Sequence, residues 1–234
     1  MAARVLDITG PIREGMWNYE PPFPRFRMAP LPPVPWAGAP VLCETFDGLH
    51  SQTGTYLETP AHFLGADRAP MVDDLDVGSL VGIPAVVLHL ERAAGPFSTD
   101  CGRTPVTAED LERAAGGRPI PPGCALLVST GWGRFWMDPD YLSDSPFFRA
   151  SAMAWLLDLK PFLLGSDFAR WENLEHMEGF FPDFYASGCL MLGPLVDLEK
   201  WESDRARLTV LPLRIPGTSC VPCRAVLVEE GGAP

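Results

Sequence analysis

The chain has no run of roughly 18 consecutive apolar residues, the length a membrane-spanning helix needs. A helical membrane protein is therefore excluded. Its opening residues, Met1-Ala2-Ala3-Arg4-Val5-Leu6-Asp7, have no long apolar core of the secretory kind, and a cytoplasmic location is expected. Basic side chains are also few: 18 Lys and Arg stand against 30 Asp and Glu, a net charge of −12. Gripping a phosphate backbone takes clustered Lys and Arg, so nucleic acid is not an expected partner. No Gly-x-Ser-x-Gly elbow and no phosphate-cradling glycine loop is present, which disfavours serine-hydrolase and nucleotide-cofactor chemistry. Neither an internal repeat nor a linker divides the sequence.

Proline and glycine are abundant instead. The chain has 26 Pro and 22 Gly, about a fifth of its length where average usage gives roughly an eighth. Apolar types make up 47%, enough for a sizeable core, so this excess reads as turns and loops rather than disorder. A length of 234 residues suits one domain. The cysteines Cys43, Cys101, Cys124, Cys189, Cys220 and Cys223 are scattered, several in apolar runs, and read as reduced core thiols. Cys220 and Cys223 form a close pair but lack the second Cys/His pair of a zinc site.

Short Val-, Leu- and Ile-rich runs bounded by Gly or Pro predict strands at Val5–Thr9, Pro84–Leu90, Ala125–Thr130, Phe162–Ser166, Cys189–Leu192, Thr209–Ile215 and Cys223–Glu229. A capping-box-like start at Thr107 and a stop at Gly116-Gly117 predict one helix. Arg149–Leu159 predicts another, with Ala152, Trp155, Leu156 and Leu159 on one face. The class is mixed α/β (α+β) with few helices. Proline-rich Pro21–Pro40 is expected to be an extended arm or loop that covers a pocket or reaches a neighbouring subunit.

The functional side chains concentrate in His50-Ser51-Gln52-Thr53-Gly54-Thr55-Tyr56-Leu57-Glu58-Thr59-Pro60-Ala61-His62. On an extended backbone His50, Gln52, Tyr56, Glu58 and His62 share one face. That face offers imidazoles, an amide, a phenol and a carboxylate, whereas a polar edge strand facing water would be the plain alternative. Glu172 and His176, four apart, would share a face if their segment were helical. His89, within Val87-Leu88-His89-Leu90, reads as a strand histidine, and Arg170 and Glu172 as a surface pair.

Gln52 to His62 resembles the signature His-x-Gly-Thr-His-x-Asp-x-Pro-x-His of the cyclase family that includes bacterial kynurenine formamidase and isatin hydrolase. Val5-Leu6-Asp7-Ile8-Thr9 with Gly15-Met16, Thr130-Gly131-Trp132, Gly165-Ser166-Asp167 and Pro222-Cys223-Arg224-Ala225 resemble its other segments. The resemblance spans nearly the whole chain. It implies a single compact β/β/α swivelling-type domain over residues 1–234, assembling as a homodimer or homotetramer. In metal-dependent members the two early His, the Asp, and a later His and Glu bind the metal, while the final His transfers protons. Here those ligand positions hold Gln52, Tyr56 and Glu58, with the later pair falling at Phe181 and Gly193; only the last is kept, as His62.

The expected catalytic residues are therefore His62 and Glu58, with Gln52, Tyr56, Thr55, Trp132 and Asp167 binding a small-molecule substrate. Trp17, Trp36, Trp132, Trp136, Trp171 and the pairs Phe147-Phe148 and Phe180-Phe181 are candidates to line an aromatic pocket. No cofactor is expected; a divalent Zn or Mn would have to be held by Glu58, His62, His50 and His176. A histidine beside a carboxylate suits acid/base cyclisation, dehydration or tautomerisation of a polycarbonyl intermediate, as in polyketide ring closure. Two alternatives stand beside this. One is a hydrolase of an amide, ester or lactone with a rearranged metal site, and the other is a non-catalytic binding protein.

Overall fold

The computed structural model describes residues 4–39, 41–95, 97 and 102–230. Cys101 and Pro40, the last residue of the expected arm, lie outside them. Strands β1 (Val5–Asp7), β2 (Arg27–Pro30), β3 (Glu44–Asp47) and β4 (Tyr56–Glu58) come first, followed by the helical turn α1 (Ala61–Leu64). Next come β5 (Ile83–His89), α2 (Leu90–Ala94), β6 (Pro105–Val106), α3 (Ala108–Ala115), β7 (Ala125–Ser129) and β8 (Phe147–Phe148). The chain then forms α4 (Ala150–Asp158), β9 (Leu163–Ser166), α5 (Phe181–Ala186), β10 (Leu190–Gly193), β11 (Arg205–Pro212) and β12 (Cys220–Val228).

The main sheet runs β1-β12-β11-β5-β7-β9-β10-β4, and β4 pairs back onto β12, so the strands close into a barrel-like ring. Strands β5, β7, β9 and β10 are parallel, and the remaining pairs are antiparallel. Alternation along each strand separates two cores. Ile83, Ala85, Val87, Ala125, Leu127, Leu57 and Leu208 fill the ring with Trp201. Val86, Leu88, Leu126, Val128, Tyr56 and Cys220 point outward, packing with residues of α3, α4 and α5. Burial on both faces explains why Ala125-Leu126-Leu127-Val128 is continuously apolar.

Each expected strand is present, within a few residues of its expected ends, and both expected helices form. At α3 the Thr107 Oγ1 accepts from Asp110 N at 3.3 Å and Asp110 Oδ2 accepts from Thr107 N at 3.0 Å. Such a cap contributes about 1 kcal/mol. Gly116, at φ 59°, ends the helix in the left-handed region. Cys220 and Cys223 lie three apart on β12, so they face opposite sides, one outside the ring and one inside. They form no common site.

The expected arm is extended and partly strand: β2 and β3 pair as an antiparallel hairpin, with Met28, Phe46 and Trp36 in solvent. Two other sequence expectations need correction here. Trp36 thus lines no pocket. The segment carrying Glu172 and His176 is not helical; it runs through turns and bends, so their spacing does not place them on one face.

Asp167, just beyond β9, ties this strand to the end of β7. It accepts from Thr130 N at 2.9 Å, Thr130 Oγ1 at 2.7 Å and Trp132 N at 3.1 Å, and it is fully buried. Burial pushes its carboxyl up to about 7, against the pull of the Thr130 hydrogen bonds. A raised folded value means that folding favours the neutral acid. Its contribution to stability is complete below the ordinary value of 3.8 and is lost as pH rises through about 7. The urea midpoint of Asp167→Asn should therefore vary less over that interval than the wild type's, a difference on the order of a few kcal/mol. Equal slopes in the two proteins would refute this.

Candidate active site

Strand β4 is only three residues long, and its register decides the site. Leu57 points into the ring, so Tyr56 and Glu58 point out. Glu58 lies opposite Met191 on β10 and Cys220 on β12, a thioether and a thiol that close both flanks. Its side chain is 1% exposed. Before the strand, Gly54 takes φ 71°, and a Cβ there would come within 2.7 Å of Ile12 Cγ1. Only glycine fits that turn, which brings Gln52 back beside Glu58. After the strand, Pro60 opens the turn α1 and places His62 one helical turn beyond Glu58.

The carboxyl is held from three sides. The Tyr185 hydroxyl, on α5, donates to Glu58 Oε1. Gln52 Nε2 donates to Oε2 at 3.4 Å, and His62 Nε2 stands 3.8 Å from that same oxygen. Burial holds the Glu58 carboxyl above its ordinary 4.5, while His62, Tyr185 and Gln52 pull it down. His62 is about two-fifths exposed, and its Nδ1 lies 3.4 Å from Ser219 Oγ. The Tyr56 and Tyr19 hydroxyls are 3.0 Å apart. Burial raises both phenols, so both stay protonated near neutral pH.

These groups border a cavity of about 400 Å³. Its walls are Tyr19, Glu20 and Phe23 from the N-terminal loop, Phe63, Ala169 to Glu172, Phe181, Tyr185 and Met191. Of the expected site residues, Gln52, Tyr56, Glu58 and His62 meet here. Thr55, Trp132 and Asp167 do not. Thr55 faces the other way, accepting from Gly10 N and donating to Pro194 O. Trp132 is packed against Phe135 and donates to Tyr141 O, and Asp167 is consumed by the turn after β7. Among the expected aromatic linings, Trp171 and Phe181 reach the cavity, whereas Trp17 and Trp136 pack on each other and Phe148 on Phe168. His89 is buried at the end of β5, with Nδ1 2.9 Å from Glu91 Oε1.

The shared face of five residues also needs revision. Only Tyr56 and Glu58 lie on strand; Gln52 arrives by a turn and His62 by α1. His50 points away, its Nε2 3.2 Å from Asn18 Oδ1 and its ring against Phe23. Tyr185 was not foreseen, although Pro182 in the first turn of α5 is a helix-start signal placing Tyr185 four residues after Phe181. Arg170 pairs with Glu20 rather than Glu172, and Glu172 instead accepts from Gly179 N.

The donor set does not fit a divalent metal. Both Glu58 oxygens already accept hydrogen bonds, and burial keeps Tyr56 a phenol and Cys220 a thiol. His50 is turned away and His176 is exposed. Among the described residues no three His, Cys, Asp or Glu side chains converge. A catalytic Zn or Mn site takes about three such ligands. No helix of the described residues is long and apolar enough to cross a membrane.

A family model described as Putative cyclase matches residues 6–173. No curated protein matches. An isatin hydrolase bound to the product analogue thioisatinate superposes with a TM-score of 0.81 at 22% identity, over 97% of this chain and 92% of that one. Isatin hydrolase A from Labrenzia aggregata, bound to benzyl benzoate, gives 0.79 at 22%, over 97% and 93%. A predicted metal-dependent hydrolase from Bacillus stearothermophilus gives 0.75 at 20%, over 98% and 100%. The fold is the same in all three.

The Tyr185 contact sets how tightly Glu58 holds its proton. Tyr185→Phe removes a donor to the carboxylate and should raise the proton affinity of Glu58 by about a factor of ten. Carboxyl titration by infrared difference spectroscopy would show it; an unmoved titration would mean that Tyr185 does not support the ionised form.

Proposed function

The chain belongs to the Putative cyclase family and is an enzyme of the cyclase/hydrolase class, and from that premise we propose that it moves protons on a polycarbonyl or aromatic small molecule without a metal. The observation that carries this reading is the pairing of Glu58 Oε2 with His62 Nε2 at 3.8 Å across the mouth of an aromatic-walled cavity. That spacing suits a carbonyl oxygen and its α-carbon, which are two bonds apart.

Tyr185 donates to Oε1, so in the proposed step the neutral carboxyl, the form that burial favours, carries its proton on Oε2, toward the substrate. Ser219 Oγ stands 3.4 Å from His62 Nδ1 and can accept from it, the arrangement that leaves Nε2 as the basic nitrogen. In the proposed step His62 Nε2 takes the α-proton, and the electron pair moves onto the carbonyl oxygen. Glu58 and Gln52 hydrogen-bond that oxygen as it becomes negative. With the Tyr19 hydroxyl donating to Ala169 O at 3.3 Å, the Tyr56 hydroxyl donates to Tyr19 and fixes that side of the cavity. The enolate then attacks another carbonyl of the same molecule or expels a β-hydroxyl. The imidazolium returns its proton to the alkoxide or to the departing hydroxide, which leaves as water, so the site ends as it began.

The hydrolase reading draws on the fold shared with isatin hydrolases. It needs a nucleophile of the metal-bound-water type, which Gln52 and Tyr56 are poorly suited to hold.

The proton-transfer step can be followed without the natural substrate. Wild-type protein should catalyse deuterium exchange α to the carbonyl of 1-tetralone in D2O, read by NMR. His62→Asn and Glu58→Gln should each slow it by about a hundredfold or more. Chelation should leave the rate unchanged, and metal content should be well below stoichiometric. Stoichiometric zinc or manganese with activity lost to chelator would transfer the assignment to hydrolysis, while exchange indifferent to both substitutions would remove the catalytic roles of His62 and Glu58.

A further inference from the structure

The cavity that Glu58 and His62 border is also lined by Arg170, a guanidinium whose hydrogen bonds are half made. Arg170 Nη2 pairs with Glu20 Oε1, but Arg170 Nε is buried and has no hydrogen-bond partner among the described residues. Nε and Nη2 form one edge of the guanidinium, the edge that takes both oxygens of a carboxylate side by side. Glu20 uses half of it. The Arg170 side chain is 15% exposed, whereas that of Glu20 is 66% exposed and sits on the N-terminal loop. Both residues line the cavity. One partner of this pair is fixed in the wall and the other lies largely in solvent.

The fixed partner is held by its own backbone. Arg103 donates to Arg170 O at 2.9 Å, to Glu172 O at 3.0 Å and to Ser145 O at 2.8 Å. A second guanidinium thus lies behind the first, and the proximity of Arg170 adds to burial in pulling Arg103 down to about 10. Arg170 shares the cavity lining with the carboxylates Glu20, Glu58 and Glu172, in a chain of net charge −12, so an anion entering the cavity needs this guanidinium as its partner.

We infer that the substrate carries a carboxylate that displaces Glu20 and takes the Nε/Nη2 edge of Arg170, while its carbonyl carbon skeleton lies toward Glu58 and His62. Glu20 is a resident counter-ion, keeping the guanidinium paired when the cavity is empty. The inference rests on the cavity being the catalytic one and adds the class of its substrate: an aromatic or polyketo carboxylic acid. Unbranched aryl ketones without the acid group should still bind, more weakly.

Isothermal titration calorimetry with 2-naphthoate and its neutral isostere 2-naphthamide tests this without turnover, so its failure is separable from failure of the exchange assay. Wild-type protein should prefer the carboxylate by about tenfold, the ratio expected of one charge-assisted pair. Arg170→Gln should abolish the preference, and Glu20→Gln should strengthen carboxylate binding severalfold while leaving the amide unchanged. Circular dichroism and a thermal melt identify a misfolded Arg170→Gln protein, in which case the Glu20→Gln result decides alone. Equal affinities in the wild type, no saturable carboxylate binding, or a preference that survives Arg170→Gln in a folded protein would overturn the inference.

Discussion

The carboxyl of Glu58 is sealed on both flanks by neighbouring strands, and most of the site follows from satisfying it. Closure of the ring gives β4 a partner on each side, so Met191 and Cys220 exclude water from the flanks. An ionised carboxylate left alone there would cost several kcal/mol. Three groups offset that cost, and each comes from a different element: Tyr185 from α5, Gln52 from the Gly54 turn and His62 from α1. The same constraint orients the chemistry. With Oε1 taken by Tyr185, Oε2 is the oxygen that meets both Gln52 and His62.

An amide at Gln52 and a phenol at Tyr56, where the signature this segment resembles has imidazoles, change what such a site can stabilise. A metal polarises a carbonyl and delivers water as a nucleophile. In the proposed reading Gln52 and the neutral form of Glu58, which burial favours, hydrogen-bond a developing oxyanion instead. That inventory is why enolisation and ring closure are proposed here over bond hydrolysis. The aromatic walls extend the match, since Phe63 stacks on Tyr185 at 5.2 Å and 7° and continues the flat surface at the mouth.

Much of this was legible in the residues themselves. Apolar runs bounded by Gly or Pro marked the strands of the ring because burial on two faces leaves little room for polar side chains. Tyr56 and Glu58 shared a face because their backbone is extended, and the alternation holds there. It fails where the backbone leaves the strand: His50 lies before the left-handed Gly54, and His62 lies after Pro60 on a helical turn. Local spacing cannot say which polar residues are spent on structure. Asp167, Thr55 and Trp132 looked like site residues, yet backbone groups of distant segments use up their polar atoms. Nor could spacing bring Tyr185 to Glu58, a contact 127 residues apart in sequence, or pair Arg170 with Glu20 rather than with Glu172.

The cavity is built from two kinds of chain. Glu58 and Tyr56 belong to the ring, where a shift of one residue would turn the core inside out. The opposite wall, from Tyr19 to Phe23 and from Ala169 to Glu172, is loop, bound by no register. Mutation can therefore rewrite which molecules enter while Glu58 and Tyr56 stay in place. A scaffold divided in this way diversifies its substrates readily and its reaction slowly.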